Sequence, residues 1–227
     1  MTPYEHITLI GGFWNCAERA GTLLTAMRPW FKTIIITVQE SEDDTYEVVS
    51  GIADLTLKDP WYGHGNPSFQ KANANVKTPW SFLISDDEIP DEELLTELPN
   101  LAISPKYLGY WFHFRSWIDD IEFTREQDNH LRMWRSHIPW PPTIHSRPMI
   151  DMEDTAFVKV GNIEHRRSLD EMMSDYLRRY EIGKGDKNWD AHNIRMINKA
   201  CEAVANHKGW DYVQSKLWWP EVSALAF

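Results

Sequence analysis

The chain has 227 residues and a formal net charge of −11, with 42% hydrophobic and 25% charged residues. The length allows one large domain or two small ones, the composition excludes a disordered or fibrous chain, and the charge argues against a broad basic surface for nucleic-acid backbones. We see no leader pattern and no apolar run near the roughly 20 residues that cross a bilayer, so we expect a cytoplasmic protein without a transmembrane segment. Cys16 and Cys201 are too few for a disulfide framework or a four-thiolate zinc site.

The N-terminal part of the chain predicts a β-α-β unit. Residues 7–10 form an apolar strand, an amphipathic helix follows and stops at Pro29, and the β-branched run 33–38 predicts a buried parallel strand. A further strand is expected at 53–57. The acidic stretch 40–44 directly follows the second strand, and open parallel sheets bind ligands beyond the carboxyl ends of their strands. These acids therefore stand where a ligand is expected.

A second group of acids follows the next strand. Residues 68–77 predict a helix, and the apolar run 80–84 predicts a buried strand that leads directly into Ser-Asp-Asp-Glu at 85–88. Asp91 then caps a helix that we expect to end at Pro99. Adjacent carboxylates repel one another unless a cation or hydrogen-bond donors are present. We therefore take 85–88 as the best candidate site, with capping of the following helix as the alternative explanation.

The second half of the chain changes from strands to helices. Residues 107–117 and 122–134 alternate aromatic and charged side chains, which predicts strands or a hairpin. Residues 169–180 have the apolar spacing of an amphipathic helix, and 190–207 predict another. We divide the chain into two parts: a single α/β domain, 1–165, and a helical C-terminal extension packed on the same domain, 166–227.

Five motifs follow one another along the chain, and together they resemble a known family. They are Trp-Tyr-Gly through Trp-Ser-Phe-Leu-Ile-Ser-Asp-Asp-Glu-Ile-Pro-Asp-Glu-Glu-Leu-Leu (61–95), Asp-Asn-His-Leu-Arg-Met-Trp-Arg (128–135), Ile-His (144–145), Ile-Glu-His (163–165) and the segment 176–180. Their order and spacing resemble those of the family 2 glycosyltransferases, in particular the small members that work on lipopolysaccharide cores and other glycans. The resemblance covers roughly residues 7 to 182.

The resemblance implies the GT-A fold, a Rossmann-like nucleotide-sugar-binding domain, and inverting transfer from a UDP-, GDP- or dTDP-linked sugar to an acceptor hydroxyl. It implies a divalent cation, Mn²⁺ or Mg²⁺, with Asp87 as ligand, although Ser85 replaces the first acid of the family's Asp-x-Asp. Asp128 is implied as the general base, with Asp119, Asp120 and Glu153 as rivals. The residues implied in donor binding are Glu40, Asp86, Asp87, Arg132, Arg135 and His145.

Three tryptophans are candidates for stacking against the sugar or acceptor, with core packing as the alternative for each: Trp61, Trp117 and Trp140. A phage-type enzyme that glycosylates a modified DNA base is a second hypothesis, in which arginines would line a basic cleft, namely Arg115, Arg125, Arg132 and Arg135. A non-catalytic nucleotide- or sugar-binding module is a third, because the first acid of Asp-x-Asp is missing. The acceptor, whether a glycan, a lipid-linked glycan or DNA, and the oligomeric state stay open.

Overall fold

The computed structural model describes residues 4–123, 128–141, 146–183 and 187–216. The chain forms two compact units. The first comprises Met1–Phe114 and Gln127–Glu164, and the second comprises Arg115–Glu126 and His165–Phe227. The second unit therefore contains a segment from the middle of the chain, which our division after residue 165 left in the α/β domain.

Strands and helices alternate through the first hundred residues. They are β1 (Tyr4–Phe13), α1 (Ala17–Met27), β2 (Phe31–Gln39), α2 (Thr45–Ser50), β3 (Leu55–Asp59), α3 (Asn66–Asn73), β4 (Trp80–Leu83), β5 (Glu88–Pro90) and α4 (Glu92–Ile103). The rest of the chain forms β6 (Gly109–Ile118), β7 (Ile121–Glu122), β8 (Asn129–Arg135), a 3-10 turn (Met152–Asp154), β9 (Thr155–Phe157), β10 (Ile163–Arg167), α5 (Leu169–Gly183), α6 (Lys187–Lys208) and α7 (Trp210–Lys216).

The sheet has a parallel part and an antiparallel part, in the strand order β3-β2-β1-β4-β8-β6-β10-β5. β1 pairs in parallel with β2 and with β4, and β2 pairs in parallel with β3. The carboxyl ends of these four strands therefore reach one edge. β8 is antiparallel to β4, so the first residues of β8 lie at that same edge. We call it the carboxyl edge.

Apolar side chains cover both faces of the parallel strands. Trp80 and Phe82 of β4 belong to one buried cluster, and Leu83 belongs to another. The ring of Phe82 stacks on Phe31 at 5.8 Å and meets Phe112 edge-on at 5.7 Å. Strands buried on both faces are continuous apolar runs, as the sequence of β2 and β4 predicted. This packing fixes the position of the turn that follows β4.

Helix α4 continues through Pro99, whereas the sequence predicted its end there. A proline cannot donate to the carbonyl four residues earlier, which here belongs to Leu95. The hydroxyl of Tyr4 donates to that carbonyl instead, and burial raises the pKa of Tyr4 to about 12. At the other end of the helix Asp91 is the N-cap, as predicted, and accepts a hydrogen bond from a first-turn amide at 2.8 Å.

The second unit is mainly helical, with α5, α6 and α7 around a methionine-rich core that includes Met172, Met173 and Met196. Asp119 has a structural role in this unit: it accepts hydrogen bonds from the backbone of Leu169 at 3.1 Å and from the hydroxyl of Tyr212 at 2.9 Å. Among the described residues, no helix is both long and apolar enough to cross a membrane.

Candidate active site

The acidic turn that the sequence singled out, residues 85–88, lies at the carboxyl edge directly after β4. Asp86 forms an ion pair with Arg19 of α1 at 2.6 Å, and 19% of its side chain is exposed. Burial, followed by the negative charge of Asp87, raises the pKa of Asp86 to about 6, against the attraction of Arg19. Asp86, Asp87 and Glu88 are adjacent acids, and at Asp86 the attraction of Arg19 only partly offsets burial and the charge of Asp87. This is the electrostatic setting of a cation or donor-rich ligand site.

Glu88 anchors this turn to β8. Its carboxylate accepts two hydrogen bonds from the guanidinium of Arg132, one of them at 3.1 Å, and a third from the backbone of Ser85 at 3.2 Å. The pair is buried, with 4% of the Glu88 side chain and 14% of the Arg132 side chain exposed. We expected Arg132 to bind the diphosphate of a donor, but in the structure its guanidinium forms an ion pair with Glu88.

A β-bulge brings Arg132 to this position. Tyr110 of β6 pairs with Met133, while Trp111 pairs with Leu131, so Arg132 is an extra residue in β8. A bulge interrupts the regular alternation of faces and redirects a side chain, and bulges are frequent next to active sites. Here it allows the guanidinium to lie over the ring of Phe114 at 5.1 Å while it binds the acidic turn.

Arg135 lies elsewhere. It pairs with Trp80, the first residue of β4, and therefore sits at the end of that strand opposite to the acidic turn. Its guanidinium lies over the ring of Trp80 at 4.1 Å and donates to the carbonyl of Ser104 at 3.2 Å. The expectation that Arg135 binds the donor is therefore wrong. Arg135 lies on the same strand as Arg132, but at the end of the sheet opposite to the carboxyl edge.

The end of β2 lies at the same edge as the acidic turn, two strands away from it, because β1 runs between β2 and β4. Glu40 is exposed there, and its backbone bonds to the Asp59 carbonyl at 2.9 Å. The preceding residue, Gln39, is 2% exposed and donates to the carbonyl of His64 at 2.9 Å and to the hydroxyl of Ser68 at 2.8 Å. Gln39 therefore fastens the loop after β3 to this edge, a role that its sequence context did not reveal.

That loop carries Trp61, which stacks on Trp14 with 3.9 Å between ring centroids and 15° between planes. Trp14 follows β1, and the next residue, Asn15, has a positive φ of 46°. The side chain of Asn15 accepts a hydrogen bond from the backbone of Glu42 at 2.7 Å, which joins the segments after β1 and β2. The sequence drew attention to Trp61, but its partner Trp14 was found only in the structure.

The other two candidate tryptophans have different surroundings. Trp140 is 4% exposed, packs on Trp134 with 5.0 Å between centroids, and donates to Ser146 at 2.9 Å. It belongs to the core, so the stacking expectation is wrong for Trp140. Trp117 belongs to the second unit, where the guanidinium groups of Arg115 and Arg166 lie over its ring at 5.2 and 4.8 Å.

Asp128 immediately precedes β8 and thus lies at the carboxyl edge. Its side chain, 13% exposed, contacts the imidazole of His130 at 3.0 Å, and its carbonyl accepts from the backbone of Phe114 at 2.8 Å. His130 was part of a motif but was not singled out from the sequence. His145, expected to bind the donor, lies outside the described residues, as does Arg125.

A divalent cation at this edge would need oxygen atoms of a bound substrate as additional ligands. Within the described part of the chain, no group of three or more Asp, Glu, His or Cys side chains could hold a metal ion. Mg²⁺ and Mn²⁺ are often held by one or two carboxylates together with substrate phosphates. The mutual repulsion of Asp86 and Asp87 that helps to raise the pKa of Asp86 is compatible with such a partial site.

No protein-family model matches the sequence, and no curated protein matches it significantly. Solved structures do match. Staphylococcus aureus TarS 1–349 has a TM-score of 0.53 and 10% identity over 96% of this chain and 77% of that chain. The structure of the same protein in complex with UDP-GlcNAc has a TM-score of 0.52 and 10% identity, over 97% of this chain and 78% of that chain. A mycobacterial protein has a TM-score of 0.53 and 12% identity, over 78% of this chain and 72% of that chain.

This chain spans 47% of a longer TarS chain that it also matches. At these identities the likeness concerns the fold. The protein has the GT-A fold, so the α/β class and the resemblance to GT-A glycosyltransferases predicted from the sequence are confirmed at that level.

Proposed function

We propose that the protein is an inverting glycosyltransferase, which transfers a sugar from a nucleoside-diphosphate sugar to an acceptor hydroxyl. The observation that carries the proposal is the acidic turn 85–88, which directly follows the buried strand β4 at the carboxyl edge of a GT-A fold. Open parallel sheets bind ligands beyond the carboxyl ends of their strands. The order of five motifs in the sequence independently supports the same activity.

The nucleoside would lie against the segments after β1, β2 and β3. Trp14 and Trp61 offer an aromatic surface there, and aromatic side chains suit the flat face of a base. Exposed Glu40 could accept hydrogen bonds from the ribose hydroxyls. The TarS 1–349 structures in complex with UDP and with UDP-GlcNAc support a uridine nucleotide as the first choice over GDP or dTDP.

The diphosphate would lie next to the acidic turn. We assign Asp87 as the ligand of a divalent cation, which would neutralise charge on the departing diphosphate. Asp86 would support the same site from its ion pair with Arg19. The ion pair between Glu88 and Arg132 holds the turn in place, so these two residues would act on the position of Asp87 and leave the phosphate oxygens to other groups.

Arg132 and Arg135 do not support the second hypothesis, in which the protein glycosylates a modified DNA base. Arg132 is paired with Glu88, and Arg135 lies at the opposite end of β4. Arg115 belongs to the second unit, and Arg125 lies outside the described residues. We therefore propose a glycan or lipid-linked glycan as the acceptor. A non-catalytic binding module would bind nucleotide without releasing it from a nucleotide sugar, and a turnover assay separates the two.

The test is a calorimetric titration with UDP, GDP, dTDP and CDP, each with and without Mn²⁺, on the native protein and on Asp87→Asn. We expect one nucleotide to bind, to need Mn²⁺ and to lose most of its affinity in the variant. Asp151→Asn, which removes an exposed carboxylate, is the matched control and keeps the affinity. Absence of binding by every nucleotide and by UDP-GlcNAc would refute the proposed donor site, and a product that retains the anomeric configuration would refute inversion.

A further inference from the structure

We propose that His130 is the general base of this transfer and that Asp128 is the residue that positions it. The proposal rests on the proposed function and changes the role that the sequence suggested for Asp128. It starts from one contact: Nε2 of His130 lies 3.0 Å from Oδ1 of Asp128. The side chain of Asp128 is 13% exposed and that of His130 is 44% exposed, so the imidazole is the more accessible member of the pair.

The contact also selects a tautomer. An ionised carboxylate can only accept hydrogen bonds, so Nε2 of His130 carries the proton. Nδ1 of the neutral ring then keeps its lone pair. Among the described residues no hydrogen bond to Nδ1 is formed, so this nitrogen is available to a hydroxyl that approaches the carboxyl edge. A carboxylate that orients an imidazole while the imidazole moves the proton is a recurrent catalytic arrangement.

The imidazole is held beside the donor side of the site. Its ring centroid lies 4.3 Å from that of Phe114, and the same ring of Phe114 carries the guanidinium of Arg132 at 5.1 Å. Arg132 in turn binds Glu88 in the acidic turn. A continuous set of contacts therefore joins His130 to the turn in which Asp87 would bind the diphosphate. Of these charged groups Asp128 contacts the imidazole itself, whereas Arg132 is linked to it through Phe114 and Glu88 through Arg132.

The chemical step is a single displacement. The acceptor hydroxyl gives its proton to Nδ1 of His130 while its oxygen forms a bond to the anomeric carbon of the sugar. The bond from that carbon to the diphosphate oxygen breaks, and its electron pair leaves with the nucleoside diphosphate. The carboxylate of Asp128 stabilises the imidazolium that forms. No oxidant, reductant or protein nucleophile is needed.

The test uses donor hydrolysis, in which water takes the place of the unknown acceptor. UDP-GlcNAc, UDP-glucose, GDP-mannose and dTDP-glucose serve as probes, and release of the nucleoside diphosphate is measured on the full chain. We expect His130→Ala to lower kcat by about 10²- to 10⁴-fold with little change in KM, and added imidazole to restore part of the lost rate. His113→Ala, on the neighbouring strand β6, is the matched control and keeps its kcat.

Two results would overturn the proposal. One is a kcat in His130→Ala close to that of the native protein while Asp128→Asn loses its activity, which would make Asp128 the base. The other is a ¹⁵N NMR spectrum in which His130 carries its proton on Nδ1, or in which Asp128→Asn leaves the tautomer unchanged. The spectrum tests whether Asp128 fixes the tautomer of His130 even when no donor hydrolysis is measurable. Failure of every nucleotide sugar to bind the native protein would instead refute the proposed function.

Discussion

Replacing Asp86 by asparagine should stabilise the folded protein at neutral pH and barely change its stability in acid. In the folded protein the pKa of Asp86 is raised from 3.8 to about 6. Below about pH 4 the carboxyl group is protonated in both the folded and the unfolded chain, so it has little effect on stability. As the pH rises, the unfolded chain releases this proton first, so stability falls between about pH 4 and pH 6 and stays lower above that range.

The size of the effect follows from the same pKa. The difference between 3.8 and about 6 corresponds to about 3 kcal/mol of unfolding free energy. This value already contains the attraction of Arg19, which lowers the pKa of Asp86. An asparagine has no charge to bury, so we expect Asp86→Asn to gain about 2 to 3 kcal/mol at pH 7.5 and less than about 1 kcal/mol at pH 4.0.

The assay is urea unfolding followed by tryptophan fluorescence, in EDTA so that no cation binds the turn. Asp151→Asn controls for the loss of a negative charge at an exposed position, and its unfolding free energy should stay within about 0.5 kcal/mol of the native value at both pH values. An Asp86→Asn protein that is less stable at pH 7.5, or equally changed at both pH values, would refute the reasoning.

Three further predictions concern a buried ion pair, backbone strain and core packing. Urea unfolding measures each of them, with Gly209→Ala as the comparison for Gly161→Ala. Glu88→Gln leaves the buried guanidinium of Arg132 without an anionic partner and should cost about 3 to 5 kcal/mol; a cost below about 1 kcal/mol would show that the pair is solvated. Gly161→Ala should cost more than about 2 kcal/mol, because φ is +68° and the new Cβ would lie 2.4 Å from a backbone nitrogen of α4. Gly209→Ala, with φ +85° and nothing within 4 Å of the new Cβ, should cost about 1 kcal/mol, and equal costs would contradict the steric argument. Phe82→Ala removes a fully buried ring between two others and should cost about 3 to 5 kcal/mol, whereas a small loss would mean that the core collapses around the gap.

The sequence predicted the features that depend on short stretches of chain. The run 80–84 and the acids that follow it defined both a buried strand and the turn at its carboxyl end, because an apolar run and a polar turn are local signals. The N-cap at Asp91 was predicted for the same reason. The end of α4 was not, because the group that replaces the missing hydrogen bond at Pro99 comes from Tyr4, at the other end of the sequence.

Features of the site that depend on distant partners could not be predicted. Arg132 and Glu88 are 44 positions apart, and their pairing depends on a bulge that no residue type announces. The residues around Trp140 have the composition of an exposed loop, yet its ring is buried against Trp134. Two tryptophans that are far apart in the chain, Trp14 and Trp61, meet because the segments after β1 and β3 reach the same edge.

The bulge at Arg132 has a consequence for how such a site can evolve. His130 and Arg132 both contact Phe114, and Arg132 also binds the acidic turn, in a strand that contains one residue more than β6 opposes. Deleting that residue would restore regular alternation, and the side chains on one side of the deletion would turn to the opposite face. We therefore expect relatives to keep the length from 128 to 132, since the proposed proton acceptor and the arginine that anchors the acidic turn share that short piece of chain.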